Sequence, residues 1–166
     1  MGLSLTKKIH ILAPDDFSTG RTTLLYQCVK GEDISATHTS KYNFETLEYK
    51  GSKLSMWDVG HEEIERLWSN YVRGTDGVIF VVDSSDPSSM SISHKTLVGY
   101  LNDPTLDKVP FLIFANKQDK PGALSVAEVT EKLELANDTH KLRVFGCSAK
   151  TGDGIHEGLD WFIDNL

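Results

Sequence analysis

Phe111-Leu112-Ile113-Phe114-Ala115-Asn116-Lys117-Gln118-Asp119 is the stretch on which the fold turns. An apolar run this short, opened by Pro110 and closed by a polar tetrapeptide, reads as a strand from Pro110 to Ala115, buried on both faces, rather than as a helix. Such strands occur in parallel sheets covered by helices on each side, because only a long crossover returns the chain to start a parallel neighbour. Moving outward, Gly77 to Val82 has the same character, and Lys8 to Leu12 and Leu142 to Cys147 are further strands of the set. Segments of helical period lie between and after them. These are Thr22 to Val29, Glu62 to Arg73, a helix opened by Ser85-Asp86-Pro87, a helix reaching Leu135 from the capping box Ser125/Glu128, and Gly154 to Asn165. Tyr42 to Tyr49 and Lys53 to Trp57 alternate around Lys50-Gly51-Ser52 as a β-hairpin does, which adds one antiparallel strand at an edge. The expectation is an α/β fold of six strands and five helices, mainly parallel with one antiparallel edge strand, with helices on both faces and residues 1–166 forming one domain. In such a sheet the ligand crevice lies beyond the C-terminal strand ends.

Composition narrows the partners. The chain has 166 residues, 39% apolar and 25% charged, enough for a full core, and 17 Lys+Arg against 24 Asp+Glu give a net charge of −7. An average surface of that sign repels a nucleic-acid backbone, so nucleic acid is not an expected partner, and an anionic ligand must be held by a local set of donors. Cys28 and Cys147 have no metal-ligand spacing and read as two reduced thiols. The apolar run Val78 to Val82 falls far short of the roughly 20 residues of a membrane span. With no secretory signal at Met1 to Thr6, the expected location is cytoplasmic.

Four polar loops follow strand ends: Gly20-Arg21-Thr22-Thr23, Trp57-Asp58-Val59-Gly60, Asn116-Lys117-Gln118-Asp119 and Ser148-Ala149-Lys150. The third fits the guanine-reading pattern N-K-x-D. Guanine presents a ring N–H and an exocyclic amino group side by side, and the Asp119 carboxylate accepts both in a bidentate, charge-assisted pair that adenine cannot supply. The Lys117 stem can lie over the base plane while Asn116 ties the loop to its neighbours. Ser148-Ala149-Lys150 supplies the complement, a backbone N–H at Ala149 for the guanine carbonyl and a second long side chain for the opposite face of the base.

With these loops in place the sequence resembles the Arf/Arl (ADP-ribosylation-factor-like) family of small GTPases over nearly its whole length. The resemblance is carried by Tyr42-Asn43-Phe44-Glu45-Thr46-Leu47-Glu48-Tyr49, Trp57-Asp58-Val59-Gly60, Phe80-Val81-Val82-Asp83-Ser84, Phe114-Ala115-Asn116-Lys117-Gln118-Asp119, and Gly152-Asp153-Gly154 followed by Glu157-Gly158-Leu159-Asp160-Trp161. It implies a P-loop NTPase (Ras-like) fold and a GTP/GDP switch in membrane or vesicle traffic or in ciliary cargo handling, between which the resemblance does not choose, with a hairpin that shifts register between states. It also implies effector, exchange-factor and activating proteins at the switch and interswitch surface. Ser18, Thr19, Gly20, Arg21, Thr22 and Thr23 would hold the phosphates at a helix N-terminus, with Gly60 beside them. Thr22 stands where a hydroxyl ligates Mg²⁺, Asp58 where a carboxylate holds the ion through water, and Thr39 where the first switch closes on it. Thr39 lies in His38-Thr39-Ser40-Lys41 rather than the family's Pro-Thr-x-Gly, and an ordinary loop threonine is an equal reading.

The phosphate loop departs from the pattern G-x-x-x-x-G-K-[ST]. In the register set by Gly20, Asp15 stands at the first glycine and Arg21 at the lysine. A carboxylate ~4 Å from a phosphate charge repels it by ~4 kcal/mol at an effective dielectric near 20. Arg is bulkier and planar, so it either contacts a phosphate or pairs with Asp15 or Asp16 and fills the site itself. The family's water-orienting Gln is also missing: Gly60 is followed by His61-Glu62-Glu63, and either His61 or Glu62 falls at that position. A neutral His orients water by hydrogen bonding, whereas Glu adds repulsion. Hydrolysis is therefore expected to be slow or dependent on a partner, and His61 as a solvated loop residue remains an open alternative. Met1-Gly2-Leu3-Ser4-Leu5-Thr6 fits the myristoylation pattern M-G-x-x-x-[ST], and one such chain gives marginal, reversible membrane association. The competing class is a pseudo-GTPase: an interaction module on the same scaffold that binds nucleotide weakly or not at all.

Overall fold

The structure, a computed structural model, describes residues 5–14, 18–31 and 42–166, with residues 61–63 described by their backbone alone. Gly2, Asp15 and Thr39 lie outside the described residues. Among the described residues, eleven strands and α-helices build three layers: β1 (Lys7–Leu12), α1 (Arg21–Lys30), β2 (Tyr42–Tyr49), β3 (Ser52–Val59), α2 (His61–Tyr71), β4 (Gly77–Asp83), α3 (Met90–Leu101), β5 (Phe111–Asn116), α4 (Val126–Lys132), β6 (Leu142–Gly146) and α5 (Ile155–Asn165). The sheet order is β2-β3-β1-β4-β5-β6. Every neighbouring pair is parallel except β2 with β3, the antiparallel hairpin that ends the sheet. No helix among the described residues is long and apolar enough to cross a membrane.

Strand alternation divides the core in two. Ile9, Ile11, Ile79, Val81, Leu112 and Phe114 face α1 and α5 with Leu24, Leu25, Leu159 and Phe162. Leu12, Val78, Phe80, Val82, Phe111, Ile113 and Ala115 face the other way, onto α2, α3 and α4 through Ile64, Leu97, Leu101 and Val129. The central strands thus bury consecutive residues because both faces are covered. Gly158 lets α5 sit close on the sheet, since a Cβ there would stand 2.5 Å from the Phe114 ring.

Several boundaries shift from the sequence expectation, β3 running over Ser52–Val59 rather than Lys53 to Trp57 and α2 ending at Tyr71 rather than Arg73, and two further differences have a visible local cause. The helix after Ser85-Asp86-Pro87 opens with a 3₁₀ turn, Pro87–Ser89, capped by the Asp86 side chain. The capping box at Ser125/Glu128 is present, but α4 stops at Lys132 rather than Leu135. There Glu134 takes a left-handed φ of 55°, and Leu133 and Leu135 are both buried, a spacing of two that continued helix would not deliver to one face.

Candidate functional site

The C-terminal ends of β1, β3, β5 and β6 deliver their loops to one edge of the sheet. Leaving β1, the chain reaches Gly20, the N-cap of α1, at φ 90° and ψ 21°. That left-handed conformation favours glycine, and a Cβ would stand 2.5 Å from the Asn116 amide nitrogen. Among the described residues no side chain caps this helix. Its first-turn N–H groups are therefore not spent on an internal cap. Thr19, 2% exposed, has a hydroxyl with no hydrogen-bond partner among the described residues.

Asn116 is the tie between loops. Its side-chain Nδ2 donates to the Thr19 carbonyl at 2.9 Å, and its Oδ1 accepts from the Ala149 N–H at 2.8 Å and from Cys147 Sγ at 3.5 Å. One buried amide thus joins the segment before α1, the end of β5 and the loop after β6. Lys117, at a left-handed φ of 67°, reaches back across the same gap. Its Nζ donates to the Ser18 carbonyl at 2.5 Å and to Asp83 Oδ2 at 2.6 Å. Burial opposes ionisation of Asp83, but hydrogen bonds from Lys117 and Ser85 outweigh it and hold its carboxyl below the usual carboxylate range.

Asp119 is exposed, and its Oδ1 accepts from Ser148 Oγ at 2.8 Å. The carboxylate is thereby oriented while its other oxygen has no partner among the described residues. Gln118 turns inward, donating to Ser84 Oγ and the Leu124 carbonyl, both at 2.9 Å, and so anchors the loop from below. Ala149 is buried with its N–H on Asn116, and Lys150 is exposed.

The second half of the site centres on Asp58 at the end of β3, whose side chain is fully buried. Thr22 Oγ1 donates to Oδ2 at 2.5 Å and Asn43 Nδ2 at 3.1 Å. Arg21 Nε lies 2.5 Å from Oδ1. The contact is an ion pair and not a directed hydrogen bond, since neither Nε nor Oδ1 makes one. The sequence expectation paired Arg21 with Asp15 or Asp16, which lie outside the described residues; the partner the structure shows is Asp58, brought there by the end of β3. Gly60 is the extended N-cap of α2, accepting from the Ile64 N–H at 3.0 Å, and His61 and Glu62 follow as its first helical residues. Thr23 is half-buried on α1.

Sequence reading missed Asn43 and Asp83. Asn43 stands in a strand whose alternation advertises only packing, and it reaches Asp58 through the β2–β3 register that pairs the two residues. Asp83 lies one residue beyond the apolar run that defined its strand, so nothing local marked it.

The model of the ADP-ribosylation factor family matches residues 2–166. A solved structure of the Arl6/BBS3 small GTPase from Trypanosoma brucei, with the bound nucleotide analogue GppNp, superposes at a TM-score of 0.84. It is 31% identical, and the match covers 96% of this chain and 96% of that one.

Proposed function

This chain belongs to the ADP-ribosylation factor family, and from that premise we propose that it is a guanine-nucleotide-binding switch of membrane traffic with slow or partner-dependent hydrolysis. The observation that carries the reading is the oriented Asp119 carboxylate, set by Ser148 beside a loop that Asn116 joins to the start of α1. Asp119 is assigned to the paired donors of guanine, Ala149 to its carbonyl, and Lys117 and Lys150 to its two faces, with Asn116 and Ser148 holding the loops. Rejecting the wrong base follows from leaving that carboxylate unpaired against adenine. Ser18 to Thr23 and Gly60 are assigned to the phosphates, supported by the N-terminus of α1 and the Thr19 hydroxyl, neither of which has a side-chain partner among the described residues.

The magnesium ion that the family implies would draw on Thr22 and Asp58. The Thr22–Asp58 hydrogen bond is compatible with it, but Asp58 already carries a guanidinium on Oδ1, and as they stand these residues do not fit the ion. Hydrolysis would rest on His61 or Glu62, neither of which matches the expected Gln, so the cycle is proposed to need an activating partner. Tyr42 and Phe44, exposed on the edge strand with their rings tilted against Trp57, are the proposed partner surface. Acylation at Gly2 would add reversible membrane contact to a cytoplasmic protein.

A second reading is favoured by the Arg21–Asp58 pair: a module whose phosphate side is closed by its own charges. Denaturing the purified protein and chromatographing the released small molecules separates the two. GDP or GTP near one equivalent is the expected result, and an empty protein that ignores added nucleotide establishes the module instead.

A further inference from the structure

We infer that the Arg21 guanidinium takes the place of the divalent cation, so that this chain holds guanine nucleotide without magnesium; the inference rests on the nucleotide-switch reading above. Asp58 is fully buried, with the Arg21 guanidinium in ion-pair contact at Oδ1 (Nε 2.5 Å away) and two donors on Oδ2, Thr22 at 2.5 Å and Asn43 at 3.1 Å. Magnesium demands a near-octahedral shell of oxygens and is usually drawn to such sites by one or two carboxylates plus phosphate. Here the carboxylate's charge is already neutralised by a group that does not deprotonate in proteins. An ion entering beside it would gain little from Asp58 and would be repelled by Arg21.

The guanidinium sits where the ion's bridging role is needed. Arg21 is the first residue of α1, at the end of the helix whose uncapped N–H groups face the proposed phosphate site, and its side chain is only 16% exposed. With Nε against Asp58, the terminal nitrogens of its planar fork, which have no partner among the described residues, can donate to phosphate oxygens, a geometry lysine cannot reproduce. One substitution in the phosphate loop therefore both removes the family's point charge and supplies a fixed cation to the acid that would otherwise hold the metal.

The test is the dissociation rate of mant-GDP from the full chain in millimolar MgCl₂ and in EDTA. The wild-type rate is expected to change by less than about twofold, whereas in Arg21→Lys, which frees Asp58 for an ion, EDTA is expected to speed release about tenfold or more. As a check independent of that variant, Mn²⁺ titrated into the GDP-loaded wild type is expected to stay free by electron paramagnetic resonance. Wild-type release accelerated about tenfold by EDTA, or Mn²⁺ taken up at one equivalent, overturns the inference and leaves nucleotide binding standing. Failure of mant-GDP to bind in either buffer overturns the switch reading and this inference together.

Discussion

Asp119 and Gly20 are the residues at which single atoms decide the outcome. Asp119→Asn replaces an acceptor oxygen by an amide donor, which complements the xanthine carbonyl and opposes the guanine amino group. GDP affinity is expected to fall by about 10³–10⁴ while xanthosine diphosphate gains, measured by competition against a fluorescent guanine nucleotide. Gly20→Ala puts a methyl 2.5 Å from the Asn116 amide at a backbone φ of 90°. Strain there costs about 1–3 kcal/mol, and the displaced amide releases Thr19, so both melting temperature and GDP affinity are expected to drop. The two positions differ in how legible they were. Asp119 was marked by its spacing from Asn116 and by the buried strand before it, so its position could be read from a nine-residue string. The pairing of Arg21 with Asp58 could not, because it joins residues far apart in sequence, one position more than the 36 between Thr22 and Asp58, that meet only when β1 and β3 pair in parallel.

At the scale of elements, alternation and capping chemistry placed all six strands and five helices, because every central strand is covered on both faces and each helix begins at a recognisable breaker. What escaped was where α2 is tied down. Its C-terminal end is held from β1: Lys8 Nζ donates to the carbonyls of Tyr71 and, just beyond the helix, Arg73 at 2.5 and 2.9 Å, and His10 Nε2 donates to Tyr71 O at 2.8 Å. Long-range contacts of this kind leave no mark on a local pattern. They do leave one on pH dependence. His10 is 1% exposed, and burial pushes its pKa down from 6.5 to about 4 despite the hydrogen bond to Tyr71. Between those values the unfolded chain binds a proton that the native one refuses, so stability falls as pH drops from about 6.5 toward 4, by about 3 kcal/mol at full effect. Urea unfolding across that window is expected to show the slope in the wild type and to lose most of it in His10→Gln.

For the whole molecule, the net charge of −7 means that phosphate binding works against the mean field. Local geometry has to overcome it, and stability should then respond to the ligand by mass action. At a hundredfold excess over Kd, GDP is expected to contribute ~2.7 kcal/mol. For a domain of this size that is a rise of about 5–10 °C in melting temperature, absent with ADP, as followed by differential scanning fluorimetry. The joint made by Asn116 carries this to a last consequence. Because one amide spans the segments assigned to phosphate and to base, ordering either half pre-orders the other. A nucleoside and pyrophosphate offered separately should therefore each bind weakly yet sharpen the other's titration by the same factor, a reciprocity that Asn116→Ala would abolish while each fragment's own weak binding survives.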